Sequence, residues 1–349
     1  MSFFTIGLVY QIIQEEVMKN TFAKTFFTIS NYSRLNESES LKTILTNKID
    51  QKLLKYAQSE VLENFIRERK RNNGNYLTHR LVARLGNHFF ETASFIGIAI
   101  SNNMIPVFEQ PACTRTLDFV SHNFTVIAPR EKWTTFRERN RLAFDPRMLN
   151  ISGYVQNKYV LVETYLQSYR YFEQYSDIIR HALMFNKETR LQSINFFLRC
   201  DISLLANSIW IGIHVRRGDI IKRKKLTEVG RITPRLSYYK NAITYFKDKY
   251  PHKNIILIVC GNDPKWNTEN IAPLHNDVII SRGNTPCVDL AILSVCDHVI
   301  QSVGTFSWWT AYLSENESVY SAKVFAEGSR LDRQLNKTDY FLPHWIPMT

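Results

Sequence analysis

The carboxyl-terminal half of the chain alternates short apolar runs with amphipathic segments, and this alternation constrains the fold most strongly. From about residue 208 onward, runs of Ile, Val and Leu are separated by longer segments with helical spacing. Continuous apolar strands that alternate with helices indicate a parallel sheet covered on both faces. The sequence therefore predicts an α/β fold with strands at Ile209–Val215, Ile255–Cys260, Val278–Ser281, Val299–Ser302 and Val319–Phe325, and helices at Pro234–Tyr250, Val288–Ser294 and Phe306–Leu313.

Three of these strands end in polar residues that suit an anionic ligand. In open α/β sheets, ligands bind outside the carboxyl ends of the strands. The first strand runs into His-Val-Arg-Arg-Gly-Asp, residues 214–219, and the planar guanidinium fork of arginine matches phosphate oxygens bidentately. A surface loop that is salt-bridged to Asp219 is the alternative interpretation. The polar residues expected to converge at this edge are Arg216, Arg217, Asp219, Asn262, Asp263, Ser302, Thr305 and Ser307.

The motifs of common cofactor sites are absent from the sequence. It contains no Gly-x-Gly-x-x-Gly, no Walker-type Gly-Lys-Ser/Thr loop, no His-Glu-x-x-His and no Asp-x-Asp pair. The five cysteines include no Cys-x-x-Cys pair, which argues against a structural zinc site. We therefore expect no metal and no other cofactor. A phosphate site in this chain would neutralise charge with arginines, helix N-termini and hydroxyls.

The net charge of +12 and the pI of about 9.4 narrow the choice of partners. Such a basic excess fits nucleic acid, a membrane surface or an anionic small substrate. The basic residues are scattered, apart from the runs Arg67–Arg71 and Lys222–Lys225, and no nucleic-acid motif is visible. We therefore expect an anionic small substrate and no binding of nucleic acid. The non-enzyme alternative is a basic protein that binds nucleic acid.

The length of 349 residues favours two domains over one. Residues 1–75 are expected to be a peripheral extension with helical spacing over Leu41–Arg71, which the turn Asn72–Asn75 ends. A first domain is expected over residues 76–205, in which Gly86 and Asn87 begin a buried helix. The parallel-sheet domain is expected over residues 206–349.

Six Asn-x-Ser/Thr sequons favour a secretory route, although the excess over chance is modest. The apolar stretch Phe3–Ile13 is shorter than the roughly 20 residues that span a bilayer. It also lacks a basic flank and a clear cleavage site, so neither a signal peptide nor an anchor is evident. The candidate glycosylation sites are Asn31, Asn36, Asn123, Asn150, Asn316 and Asn336.

Four segments of the chain resemble the α-1,2-fucosyltransferases of glycosyltransferase family 11. They are Arg84–Ala93, His214–Asp219, the looser Val259–Trp266, and Asp297–Leu313 with its centre Gly-Thr-Phe-Ser-Trp-Trp. The tail Phe341–Trp345 is also similar to the family. The motif His-x-Arg-Arg-x-Asp is shared widely among fucosyltransferases, but its order with the other segments is specific. The resemblance covers about residue 76 to the end of the chain.

This resemblance implies a GT-B-like fold, in which two facing Rossmann-like domains with mostly parallel sheets enclose the substrates. It also implies inverting, metal-independent transfer of L-fucose from GDP-fucose to the 2-hydroxyl of a galactoside. The donor would bind residues 206–349 and the galactose-terminated glycan residues 76–205. The family further implies that the protein is located in the Golgi and is associated with the membrane. Alternatives are another GDP-sugar transferase, such as a protein O-fucosyltransferase-like enzyme, and an inactive glycan- or nucleotide-binding relative.

The family motifs also imply roles for individual residues. Arg216 would be the main pyrophosphate ligand, with Arg217 supporting it or pairing with Asp219. Asp219 and Glu228 are the candidates for the general base, and a salt-bridge carboxylate and a loop carboxylate are the alternatives. His88 stands where a Gln is common. The implied donor residues are His214, Arg216, Arg217, Asn262, Asp263, Ser302, Thr305, Phe306 and Ser307, and the implied acceptor-side residues are Gly86, Asn87 and His88.

Overall fold

The computed structural model describes residues 39–108 and 133–349, which form two parallel sheets covered by helices. The α/β class with mostly parallel sheets is thereby confirmed. The candidate glycosylation sites Asn31, Asn36 and Asn123 lie outside the described residues, as does the apolar stretch Phe3–Ile13. Nothing in the described part of the chain has the length and hydropathy of a helix that crosses a membrane.

The first sheet lies in the amino-terminal part of the chain and has four strands in the order β2-β1-β4-β3, all parallel. The predicted helix over Leu41–Arg71 is instead two helices, because the chain turns at residues 54–58 between them. The elements are α1 (39–53), α2 (Val61–Arg71), β1 (Tyr76–His79), α3 (Leu85–Ser101), β2 (Ile105–Pro106), β3 (Thr134–Arg137), β4 (Tyr159–Glu163), α4 (Ser176–Ala182), α5 (Lys187–Leu198) and α6 (Ile202–Ala206).

The second sheet has six parallel strands in the order β10-β9-β8-β5-β6-β7. Its elements are β5 (Ser208–Val215), α7 (Gly218–Lys222), α8 (Lys224–Glu228), α9 (Leu236–Lys249), β6 (Asn254–Gly261), α10 (Pro264–Trp266), β7 (Val278–Ile280), α11 (Pro286–Ser294), β8 (His298–Gln301), α12 (Thr305–Ser314), β9 (Ser318–Ser321), α13 (Arg330–Gln334), α14 (Lys337–Tyr340) and β10 (Ile346–Met348).

The predicted strands and helices of this sheet are found within a few residues of their expected bounds. The exception is the strand expected over Val319–Phe325, which ends at Ser321. The chain bends at Ala322, whose backbone nitrogen donates to the carbonyl of Met348. The register of β5 and β6 aligns Val215 with Gly261. The residues that follow these two strands, Arg216 and Asn262, are therefore neighbours at the carboxyl edge.

The two sheets are joined by the packing of α3 against α12. A Cβ added at Gly86 would lie 2.4 Å from the backbone nitrogen of Phe306, so the two helices touch through their backbones at this point. Deeper in the contact, Trp308 and Trp309 are 1% and 0% exposed, and both rings contact Phe90. Because both indoles are buried between the helices, their role in the fold is packing.

A buried carboxyl group fixes the loop that follows β4. Glu138 accepts hydrogen bonds from the Thr164 hydroxyl, from the backbone nitrogen of Leu166 at 3.2 Å and from the Tyr171 hydroxyl at 3.0 Å. Thr164 and Leu166 both have positive φ, at 102° and 48°. These contacts stabilise an unfavourable backbone that presents Gln167 to α3.

Replacing Glu138 with glutamine is expected to flatten the pH dependence of stability. Burial raises the pKa of Glu138 from 4.5 to about 7. Between these values the folded protein holds a proton that the unfolded chain has lost, so stability falls as the pH rises from about 4.5 to about 7. Thermal unfolding midpoints measured across that range should fall less in Glu138→Gln than in the wild type. The exposed Glu173→Gln is the control, and an equal slope in Glu138→Gln would contradict the assignment.

Candidate active site

Arg216 is the fixed centre of the polar residues at the carboxyl edge of the second sheet. Its backbone nitrogen donates to Ser302 Oγ at 3.1 Å, which ties the end of β5 to the end of β8. Its side chain donates from Nε to Asp219 Oδ1 at 3.2 Å and from Nη2 to Oδ2 at 2.9 Å. The third nitrogen, Nη1, lies against Gly304, where an added Cβ would be 2.4 Å away. Gly304 has φ +92° and precedes α12, so the guanidinium lies beside a helix N-terminus.

Asp219 is shared between the two halves of the protein. Besides Arg216, it accepts a hydrogen bond from Arg84 Nη2 at 2.5 Å and another from Asn262 Nδ2 at 2.9 Å. Burial alone would raise the pKa of Asp219, but the hydrogen bonds from Arg216 and Arg84 outweigh it and hold that pKa well below its usual range. These contacts indicate that the Asp219 carboxylate orients Arg84 and Arg216. A role as general base stays a prediction.

Asn262 shapes the backbone that follows Arg216. Its side-chain oxygen accepts from the backbone nitrogens of Arg217 at 2.9 Å and Gly218 at 3.0 Å. A Cβ at Gly218 would lie 2.6 Å from the Asn262 carbonyl oxygen, so only glycine allows this close approach. Asn262 therefore positions the loop and lies next to Asp219.

Arg217 points to a different neighbour from Arg216. Its guanidinium lies over the Trp266 ring, 4.9 Å from the centroid, and its Nε is 3.9 Å from Asp263 Oδ2. Asp263 also caps α10, because its Oδ1 accepts from the backbone nitrogen of Trp266 at 3.2 Å. Arg217 therefore pairs with Asp263 and not with Asp219, the partner that the sequence had left open. Contact between Asp263 and the donor stays a prediction.

The hydroxyls that follow β8 are engaged within the protein. Ser302 Oγ accepts from Arg216 and from the Tyr239 hydroxyl at 3.1 Å. The Ser302 backbone nitrogen donates to Ser307 Oγ at 2.6 Å, and Ser307 is fully buried. Both hydroxyls therefore hold the loop that carries Gly304. Their assignment to the donor stays a prediction.

His214 and Phe306 pack side by side behind Arg216, with ring centroids 4.7 Å apart. His214 is 6% exposed, and burial together with the neighbouring Arg216 lowers its pKa to about 3. The imidazole is therefore neutral at physiological pH. Within the described part of the chain, His214 Nδ1 has no hydrogen-bond partner.

The acceptor-side residues of the sequence analysis lie at the junction of the two sheets. Asn87 Oδ1 accepts from the Thr305 hydroxyl at 2.7 Å and from Gln167 Nε2 at 3.2 Å. The first turns of α3 and α12 therefore meet, and the carboxyl edges of both sheets lie at the same junction. His88 is half-buried there, and burial together with the nearby His79 lowers its pKa.

Glu228 forms no ion pair with the arginines of this cluster in the described part of the chain. It ends α8, its side chain is 56% exposed, and its nearest cation is Lys224 Nζ at 3.9 Å. Of the two candidate bases, Glu228 therefore has a solvent-accessible carboxylate, whereas the carboxylate of Asp219 is held by hydrogen bonds from arginines. Whether Glu228 meets a substrate stays a prediction.

Two arginines near the site were not assigned from the sequence. Arg84 opens a segment that resembles the family, but its contact with Asp219 spans 135 residues and needs the folded junction. Arg231 follows the basic run Lys222–Lys225 and lies near Arg216, and no motif marks it. Only the glycine that precedes Arg231 signals a special backbone at this position.

A cavity of about 260 Å³ lies elsewhere, between α1, α4 and the end of α12. Its charged lining is internally paired, since Lys55 and Arg180 both contact Glu315. Among the described residues, no cluster of three or more His, Cys, Asp or Glu side chains could hold a metal ion. The convergence of Arg84, Arg216 and Asp219 therefore identifies the candidate site better than the cavity does.

The chain is similar to known proteins over most of its length. It is 26% identical over 281 residues to galactoside alpha-(1,2)-fucosyltransferase 2 of Sus scrofa, covering 77% of this chain and 78% of that one. It is 27% identical over 270 residues to galactoside alpha-(1,2)-fucosyltransferase 1 of Rattus norvegicus, covering 75% and 70%. Among solved structures, the fucosyltransferase NodZ from Bradyrhizobium matches with a TM-score of 0.47 at 14% identity, covering 68% of this chain and 92% of that one. The model of glycosyl transferase family 11 matches residues 40–349, and because this is most of the chain, the protein belongs to that family.

Proposed function

We propose that this enzyme transfers L-fucose from GDP-fucose to the 2-hydroxyl of a β-galactoside in a glycan, with inversion and without a metal. The observation that carries the proposal is Arg216, held by Asp219 and Ser302 beside the N-terminus of α12. Both features suit a departing diphosphate, because a guanidinium and the free N–H groups of a helix N-terminus stabilise anions. The names of the relatives supply the donor sugar and the galactoside acceptor.

In the proposed reaction, the bond between fucose C1 and the diphosphate oxygen breaks, and the oxygen keeps the electron pair. Arg216 stabilises the charge that grows on this oxygen. The acceptor 2-hydroxyl oxygen forms the new bond to C1, and its proton passes to a general base. We assign the donor to residues 206–349 and the acceptor to residues 76–205, with the junction of α3 and α12 between them.

We propose Glu228 as the general base and Asp219 as the residue that orients Arg216. Glu228→Gln is expected to remove the acidic limb of the kcat/KM pH profile, because the variant cannot accept the proton. Asp219→Asn is expected to lower the rate and keep that limb, because it weakens only the arginine contacts. Initial rates from pH 4 to pH 9 measure both. If the limb survives in Glu228→Gln, Glu228 is not the base.

The function is tested by incubation with radiolabelled GDP-fucose, EDTA and a panel of β-galactosides. We expect an α-linked fucose on the 2-hydroxyl, identified by NMR, at a rate that EDTA does not change. Peptide acceptors run in parallel test the protein O-fucosyltransferase-like alternative. Binding of GDP with no transfer to any acceptor would support the inactive relative instead and overturn the proposal.

We further propose that the enzyme works in the secretory pathway, as a Golgi enzyme associated with the membrane. The support is the animal relatives and the sequons, of which Asn150, Asn316 and Asn336 have exposed side chains. Expression in animal cells followed by endoglycosidase treatment should increase gel mobility, and Asn→Gln changes at the occupied sites should remove the shift. An enzyme without glycans that fractionates with the cytosol would contradict this location.

A further inference from the structure

Arg231 is held in place by its backbone on the loop that follows α8. Gly230, just before it, has φ +99°, and an added Cβ there would lie 2.0 Å from Ser329 Oγ. The Gly230 carbonyl accepts from Ala326 at 2.8 Å, and Arg231 itself pairs antiparallel with Phe325 in an isolated bridge. This segment is therefore pinned to the loop that follows β9, and the position of Arg231 is set by the fold.

The Arg231 side chain is partly buried and lies near Arg216, Arg141, Tyr340 and Asp219. In the described part of the chain, no carboxylate is within ion-pair distance of its guanidinium. Asp219, the nearby acid, already accepts from Arg84 and Arg216. Arg231 is therefore a cation without a counter-charge of its own.

The charges at this junction do not balance. Asp219 already pairs with two guanidinium groups, those of Arg84 and Arg216, and Arg231 adds a third positive charge near it. Burial and the neighbouring Arg216 lower the pKa of Arg231 to about 10, so the group still carries its proton at neutral pH. Partly buried like charges repel one another, and a bound polyanion relieves that repulsion.

We infer that Arg231 is a second ligand of the donor's diphosphate, so that Arg216 and Arg231 hold the two phosphoryl groups together. The inference rests on the proposed function and extends it to a residue outside the recognised motifs. A guanidinium suits this role because it donates to two phosphate oxygens at once. Arg231 would then contribute to binding of the diphosphate and not to recognition of the nucleoside.

The test compares ligands that differ only in the number of their phosphate groups. Calorimetric titrations of GDP, GMP and guanosine are made with the wild type, Arg231→Ala, Arg231→Gln and Arg231→Lys. We expect the neutral variants to bind GDP about 10- to 100-fold more weakly, with guanosine affinity unchanged. Arg231→Lys should recover part of the loss, because a point charge replaces the fork only partly. The exposed Arg235→Ala, on the same segment, is the matched control and should bind GDP like the wild type.

Each outcome decides a different question. If the wild type binds GDP and both neutral variants bind it equally well, the inference is wrong and the proposed function stands. If the neutral variants lose guanosine and GDP affinity to the same extent, Arg231 supports the fold and is not a phosphate ligand. If the wild type binds neither GDP nor GDP-fucose, the proposed function itself fails. Thermal midpoints of the glutamine and lysine variants show whether any loss reflects misfolding.

Discussion

Replacing Arg216 with alanine is expected to lower the rate of fucosyl transfer by about 10³-fold. The guanidinium is fixed by Asp219 and by the backbone of Gly304, so it meets the developing charge without reorganisation. Losing one prearranged donor of this kind costs about 3–4 kcal/mol, or roughly 10²–10³ in kcat. The loss of kcat should reach the upper end of this range, because the Arg216→Ala substitution also removes a hydrogen-bond partner of Asp219. Steady-state rates with saturating acceptor measure it.

Arg216→Lys is expected to recover little of that activity. A lysine keeps the positive charge, but it cannot donate to both oxygens of Asp219 and also face the diphosphate in one plane. The exposed Arg223→Ala, seven residues along the same segment, controls for a general loss of positive charge and should stay near wild-type activity. A lysine variant with near-normal kcat would refute the proposed role of Arg216.

Replacing Trp308 with alanine is expected to lower the free energy of unfolding by about 3–5 kcal/mol. The indole is 1% exposed and packs against Phe90, Tyr312 and Trp345, with ring centroids 4.4, 5.1 and 5.2 Å away. Its Nε1 also donates to the Tyr340 carbonyl at 2.7 Å. The alanine variant therefore leaves a cavity and an unpartnered carbonyl. Urea denaturation of the purified variant measures the change.

Trp308→Phe is the matched variant for this prediction. It keeps an aromatic ring in the cavity and loses only the indole N–H and part of the volume, so a smaller loss of stability is expected. If Trp308→Ala were as stable as the wild type and instead lost acceptor affinity, the indole would be a sugar-stacking group and the packing assignment would be wrong.

The second sheet could be predicted from the sequence because its two longest strands, β5 and β6, have eight residues each and are mostly buried. Ile255–Cys260, for example, is buried on both faces and has no polar position that could belong to a surface helix. The first sheet could not be assigned in the same way. Its strands have two to five residues, as in Ile105–Pro106, and so short a run carries no period. The final strand β10 contains a proline at 347 and depends on its pairing with β9.

The candidate site was predictable where it follows from strand order. Arg216 and Asn262 each follow a strand, and parallel pairing brings such positions to one edge. The partners that complete the site depend on how the two halves dock. Arg84 and Gln167 come from the first half, and Arg231 comes from a loop whose course is set by a remote contact with Phe325. Local patterns carry no information about such distant contacts.

Asp219 makes the position of Arg216 depend on how the two halves of the protein pack together. Arg84 reaches this carboxylate from the first half, while Arg216 is bound to it from the second. A substitution that loosened the packing of α3 against α12 would therefore change the surroundings of Arg216 without altering any residue that touches it. The helix contact between the two sheets is in this sense part of the anion site, although it lies behind it in the core.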